Sequence, residues 1–239
     1  AGSTSNSVAV FSRDVNTGAL TFVERQTNGM DDVMGLGGVN SIAMSPDGNF
    51  LYVTGPDESA VVVFSRNVLS GALTFVQILQ DENGDIIDLN YPVAVTISPD
   101  GKNAYVASYG DFALTVFSRD VATGMLTYQS VMRENANGVS GLGGPYSVKV
   151  SPDGKNVYCA GIESSTLVVF DRNGDGELTF NSVKTNAVDA EGIWGINSIT
   201  ISEDGKYVFA TGGNSNALAI FTRDEMTGKL PYSTKYEEG

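Results

Sequence analysis

The motif Phe-x-Arg recurs at Phe11, Phe64, Phe117, Phe170 and Phe221, at intervals of 53, 53, 53 and 51 residues. Two further motifs keep step with it. Ser-Pro-Asp-Gly begins at Ser45, Ser98 and Ser151, with Ser202-Glu-Asp-Gly as a fourth form, and Gly-x-Leu-Thr or Gly-x-Leu-Pro begins at Gly18, Gly71, Gly124, Gly176 and Gly228. Three anchors in one period make the chain a tandem array. Each unit must then fold alike and bury its apolar faces against its neighbours.

Within a unit the apolar pattern has a period of two, the signature of strands. Residues 146–150 alternate and stop at Ser151-Pro-Asp-Gly, where Pro fixes φ and Gly accepts a positive φ. Residues 156–160 and 167–170 follow as second and third strands, and residues 177–180 form a fourth after a glycine-containing hairpin turn. A Gly/Asn/Asp-rich stretch over 186–195 leads to the next unit. The unit is a four-stranded meander, with strands A, B, C and D. Four short strands cannot bury both faces alone, and radial stacking solves that problem. The sequence therefore predicts an all-β protein, a β-propeller of four-stranded antiparallel blades. It holds about 4.5 repeats of 53 residues in one domain over 1–239, five-bladed if closed. The half blade covers 7–28 and full blades cover about 39–80, 92–133, 145–184 and 196–236.

The half blade opens on strand C (8–13) and strand D (20–25), with no strands A and B of its own. The strand edge from Val8 to Phe11 (8–11) is then unpaired, a liability that proteins usually cover. Three arrangements satisfy it: a piece of a longer protein, a reduced blade in a five-bladed ring, or strands supplied by another chain. In the last case the partner is a second copy or another protein, giving an oligomer or filament.

The stretches Ser-Pro-Asp-Gly-Lys-Asn-x-Tyr-Val-Ala and Ala-Leu-x-Val-Phe-Ser-Arg-Asp-x-x-Thr-Gly-x-Leu-Thr resemble the repeat of lactonase-like β-propellers. That family includes 6-phosphogluconolactonases, muconate-cyclising enzymes and many extracellular repeat proteins. The resemblance covers nearly the whole chain and implies the propeller fold. It also implies, as one of two functional readings, hydrolysis of a sugar lactone. The family's enzymes resemble seven-bladed rings and use ionisable pocket residues that include histidine.

This chain has no histidine. That removes Ser-His-Asp and Cys-His catalysis and His-ligated zinc. Cys159 is the single cysteine, so no intrachain disulfide forms, and its apolar neighbours mark it as a small core residue. A net charge of −14, from 14 basic and 28 acidic residues, repels phosphate backbones and anionic lipid, so nucleic acid is excluded as a partner. No apolar run is long enough to insert in a membrane. The family resemblance points to a secreted, periplasmic or extracellular location.

Strand direction sorts the charge. The A–B and C–D turns share one face, where Arg13, Arg66, Arg119, Arg172 and Arg223 meet Asp47, Asp100, Asp153 and Asp204. The repeated Arg is expected to pair with Asp of the Ser-Pro-Asp-Gly turn. The opposite face, with the channel mouth, carries a surplus of acid. Its D–A and B–C loops hold Asp31, Asp32, Asp57, Glu58, Asp81, Glu82, Asp85, Asp88, Asp111, Glu134, Glu163, Asp189 and Glu191, and Trp194 stands beside them. These side chains suit a cation-loaded binding face for a glycan, a basic protein or a neighbouring subunit. A solvated acidic rim is the plainer reading. Asp171, Asn173, Asp175 and Glu177 match the start of a calcium loop, making Ca²⁺ the candidate cofactor. The twelfth position, however, holds Ser182. With no histidine, an incomplete ring and no convergent catalytic set, the sequence is read as a non-enzymatic binding or structural module. A sugar-lactone hydrolase is the alternative.

Overall fold

The computed structural model describes residues 1–84 and 86–237. Strands β1 (Ser7–Arg13) and β2 (Leu20–Thr27) form a two-stranded sheet. Four four-stranded antiparallel sheets follow. They are β3 (Ile42–Met44), β4 (Phe50–Gly55), β5 (Ala60–Arg66) and β6 (Leu73–Gln80); then β7 (Pro92–Ile97), β8 (Asn103–Ser108), β9 (Ala113–Arg119) and β10 (Leu126–Arg133). Next come β11 (Pro145–Val150), β12 (Asn156–Gly161), β13 (Thr166–Arg172) and β14 (Leu178–Thr185), and finally β15 (Ile196–Ile201), β16 (Tyr207–Gly212), β17 (Ala217–Thr222) and β18 (Tyr232–Glu237). Each sheet is a meander in chain order, the propeller blade that the repeat predicts.

The local chemistry repeats with the sequence. In each Ser-x-Asp-Gly turn the serine hydroxyl donates to the aspartate two residues on, at 2.5–2.6 Å. The turn glycine sits at φ of 72° or 73°. A bulge interrupts the C–D pairing beside the Phe-x-Arg phenylalanine in all five sheets. It adds local twist where the blade must stay in step with its neighbours.

The A strands β3, β7, β11 and β15 neighbour one another in succession and line the axis. Four apolar clusters fill the four gaps between successive blades. Each gap between complete blades is also latched by polar groups. Arg172 donates through Nε to the Tyr105 hydroxyl of the preceding blade at 2.6 Å and through Nη2 to Asp100 of that blade's turn at 2.8 Å. The Tyr105 hydroxyl in turn donates to the Gly176 carbonyl at 2.9 Å. Arg223, Tyr158, Asp153 and Gly228 repeat this one blade later. Arg119, Tyr52 and Gly124 repeat it one blade earlier. There Phe50 replaces the asparagine found at Asn103 and Asn156, and the Arg119 guanidinium lies 5.1 Å from its ring centroid, a cation–π contact. Burial pushes the Tyr105 and Tyr158 phenols up to about 12, partly offset by the adjacent arginines. The expected Arg–Asp pairing thus exists, but it reaches back to the preceding blade.

The ring is open. Among the described residues no apolar cluster joins the last blade to β1 and β2. Phe11 is 50% exposed, while Phe64, Phe117, Phe170 and Phe221 are at 0%. Among the described residues, the packing that a five-bladed closure would require between the last blade and β1 and β2 is not seen.

Candidate functional site

The B–C and D–A loops gather around one end of the channel and enclose an open cavity of about 710 Å³. Tyr91 and Tyr146 reach it from the starts of β7 and β11, and Tyr109 from the 3-10 turn Tyr109–Asp111 after β8. The three rings form an edge-to-face row, with centroids 6.1 Å and 6.5 Å apart. Such edge-to-face contacts hold the rings in place. The Tyr109 hydroxyl donates to Glu163 Oε1 at 2.5 Å, and that acceptor raises the phenol above its ordinary range. Asp57, in the 3-10 turn Pro56–Glu58, also lines the cavity. Its carboxylate lies against the backbone of Gly38 and has no hydrogen bond or ion pair among the described residues. Among the described residues no Lys or Arg lines the cavity. The arrangement can stack a ring-shaped polar ligand, donate from a phenol and accept a proton at an unengaged carboxylate.

The other acidic residues do not converge here. Asp81 Oδ1 accepts the Leu89 N–H at 3.0 Å and Glu134 Oε2 accepts that of Leu142 at 2.5 Å. In the equivalent loops Asn28 and Asn186 do the same for Leu36 and Ile193. An amide and a carboxylate are interchangeable in this role, so these side chains brace the D–A loop from within. Glu58 accepts the Gly35 N–H, Asp111 that of Asn90 and Asp189 that of Thr185. Burial raises the Asp111 carboxyl above its usual value. Asp88 is buried and held by Arg133 through two bonds of 2.6 Å. Asp31, Asp32 and Glu82 are exposed at loop tips, and Asp85 lies outside the described residues. Glu191 pairs with Lys235, and Trp194 borders a separate depression beside them.

The calcium-like segment is accounted for in the same periodic way. Asn173 occupies the place held by Asp14, Asn67, Asp120 and Asp224 in the other C–D hairpins. Like them it folds its side-chain oxygen over the N–H groups that follow. Asp171 Oδ1 accepts from Asn156 and Asn181, and Glu177 from Asn173. Among the described residues no three Asp, Glu or Cys side chains are grouped as metal ligands. The residues missed from sequence are Tyr91, Tyr109 and Tyr146. Their one signal was position, two at the entry to strand A and one in a B–C loop, and tyrosine in a β protein is usually core. Cys159 is fully buried, and burial pushes its thiol up to about 12.

The chain matches the family model described as lactonase, 7-bladed β-propeller, over residues 37–193 and 147–238. It is 37% identical over 87 residues to a 6-phosphogluconolactonase of Formosa agariphila, covering 36% of this chain and 23% of the relative. It is 22% identical to a 6-phosphogluconolactonase of Enterobacter sp. (strain 638), covering 96% and 68%. Among solved structures it superposes on the Pseudomonas aeruginosa periplasmic gluconolactonase with a TM-score of 0.76 at 22% identity, covering 98% of this chain and 64% of that one. A Lactobacillus plantarum protein gives a TM-score of 0.78 at 20% identity, covering 98% and 66%. At these identities the structural likeness speaks for the fold. The chain thus spans under a quarter of the first relative and about two thirds of the others, near the ratio of four and a half blades to seven. The relatives' lactonase names overturn the expectation of a non-enzymatic binding or structural module. That expectation leaned on the missing histidine, yet ester hydrolysis needs only a base and a donor, which carboxylate and phenol supply. The matched residues place the chain in a known group: it belongs to the lactonase family of seven-bladed β-propellers.

Proposed function

We propose that the chain is part of a sugar-lactone hydrolase whose reaction takes place at the tyrosine-lined channel mouth. The observation that carries this reading is the cavity itself, whose lining brings together an unengaged Asp57 and the Tyr91–Tyr109–Tyr146 row. In the reaction, water adds to the lactone carbonyl as Asp57 takes the water proton, and Asp57 returns that proton to the ring oxygen as the ring C–O bond breaks, giving the hydroxy acid. The exposed faces of Tyr91 and Tyr146 hold the sugar ring. Glu163 fixes the Tyr109 hydroxyl, and the two together position the leaving oxygen. The absence of Lys and Arg from the lining favours an uncharged aldonolactone over a phosphorylated one. An exported location accords with the periplasmic gluconolactonase among the similar structures.

The test is proton release from glucono-δ-lactone, with its 6-phosphate as the comparison, corrected for spontaneous hydrolysis. Asp57→Asn should lower the catalysed rate by about 10²–10⁴-fold, the range for a lost general base. An unchanged rate in Asp57→Asn, or no rate above background in the parent chain, rejects the reading.

A further inference from the structure

A depression of about 490 Å³ lies where the D–A loop before β15 crosses onto the last blade. Both blades beside it are four-stranded. Among the described residues none lines both this depression and the channel mouth. Three of its side chains depart from the repeat. The Trp194 carbonyl accepts the Asn214 N–H, just as those of Gly37, Asn90 and Gly143 accept an N–H from the B–C loops of their blades. Trp194 thus stands where the other loops have glycine or asparagine. Lys235 pairs with Ala219 of β17, in the register that joins Ile78 to Val62, Val131 to Thr115 and Val183 to Val168. At that place Ile78 and Val183 pack beneath the incoming loop, against Gly35 and Gly141. Lys235 lies against Gly192 in the same way, but its ammonium continues to Glu237 at 2.8 Å and Glu191 at 3.3 Å. Glu237 itself stands in the register of Gln80, Arg133 and Thr185.

Packing between blades does not require these departures, because the other blades pack without them. Trp194 is 56% exposed, so its indole fills no gap in the core. Its backbone is anchored on both sides, with the N–H donating to Ser215 Oγ at 3.0 Å and the carbonyl accepting from Asn214 at 3.1 Å. Polar groups of both kinds share the lining. Lys235 and the Ser215 hydroxyl donate, and Glu191 and Glu237 accept. Asn186 accepts the Ile193 N–H through its side-chain oxygen at 3.1 Å, and its amide N–H groups have no partner among the described residues. Two carboxylates against one ammonium leave the lining net negative.

We infer that this depression is a binding site for an uncharged sugar residue, separate from the channel mouth. The C–H groups of a pyranose ring form an apolar face that lies on an indole, and the hydroxyls at its rim both donate and accept. Trp194 supplies the stacking surface, and Lys235, Glu191 and Glu237 meet the hydroxyls. The net negative charge works against phosphorylated and uronic sugars. The inference is independent of the catalytic reading, since Asp57 and the three tyrosines take no part in it.

Trp194 is the single tryptophan, so its emission reports the site directly. Titrating the full chain with cellotetraose and with maltotetraose should shift that emission saturably for at least one of them, with a Kd of roughly 0.1–1 mM, as suits a shallow site. Tetragalacturonate should bind at least tenfold more weakly. Trp194→Asn and Lys235→Val introduce residues that other blades carry at these places, so the fold should hold, with a urea midpoint by circular dichroism close to the parent's. Calorimetry should then show the neutral sugar bound at least tenfold more weakly by each variant, and bound by Asp57→Asn as by the parent. No saturable response to either neutral sugar overturns the inference. So does binding that Trp194→Asn and Lys235→Val leave intact, binding lost in Asp57→Asn, or a preference for tetragalacturonate.

Discussion

Arg223→Ala and Arg66→Ala remove the same repeat residue from two different surroundings, so their difference isolates the latch between blades. The Arg223 side chain is 1% exposed and donates to the Tyr158 hydroxyl at 2.8 Å, to both Asp153 oxygens at 2.9 Å and to Asn156 at 2.8 Å. Truncation leaves a buried phenol oxygen and a carboxylate without their donor. Losing one member of a buried ion pair costs about 3–5 kcal/mol. Asp153 is 28% exposed, so water recovers part of that, and about 3 kcal/mol is the expected loss. Arg66 gives up a single bond of 3.2 Å to the Gly48 carbonyl, worth about 1 kcal/mol or less. The assay is urea unfolding followed by Trp194, the single tryptophan, which stands in the loop that leads into the last blade. With a slope of about 3 kcal/mol/M, Arg223→Ala should lower the midpoint by about 1 M and Arg66→Ala by about a third of that. Equal shifts would refute the reasoning, since they would mean that the latch adds nothing to the arginine's local packing.

The turn carboxylates set a pH limit. Burial alone would raise Asp100 and Asp153, but the serine and arginine bonds outweigh it and hold both below the ordinary carboxylate value; Asp47 and Asp204 are lowered chiefly by their serine partners. A depressed folded pKa contributes stability above the unfolded value and loses it as pH falls through the folded one. The urea midpoint should therefore hold down to about pH 4 and drop below it, and a fall that begins above pH 5 would contradict this. Glu134→Gln should keep the loop brace and stay within about 0.5 kcal/mol of the parent, whereas Glu134→Ala should lose about 1–2 kcal/mol by orphaning the Leu142 N–H; calorimetry distinguishes the two. Cys159 should resist thiol reagents in the folded protein and react once urea unfolds it, because the thiolate is the reactive form and burial disfavours it.

The sequence alone determined the blade. Its 53-residue period, the two-residue alternation and the Pro/Gly turns are local facts, since strand, turn and bulge are settled within a few residues of one another. The half blade was legible for the same reason, by counting strands. Contacts across blades were not. Arg172 and Asp100 are 72 residues apart, and only radial packing shows that an arginine reaches back to the previous turn and not to its own. The three sequence anchors turn out to be parts of one latch: the arginine of Phe-x-Arg, the aspartate of Ser-Pro-Asp-Gly and the glycine of Gly-x-Leu-Thr meet at a buried tyrosine. The loop carboxylates were likewise beyond the sequence: only the fold shows that Asp81 and Glu134 each accept an N–H of their own loop and that the Asn173 side-chain oxygen accepts from the N–H groups of its own hairpin. The mouth is a further case. Tyr91, Tyr109 and Tyr146 are unremarkable along the chain, and they form a site only because three separate strand ends and loops converge on one axis.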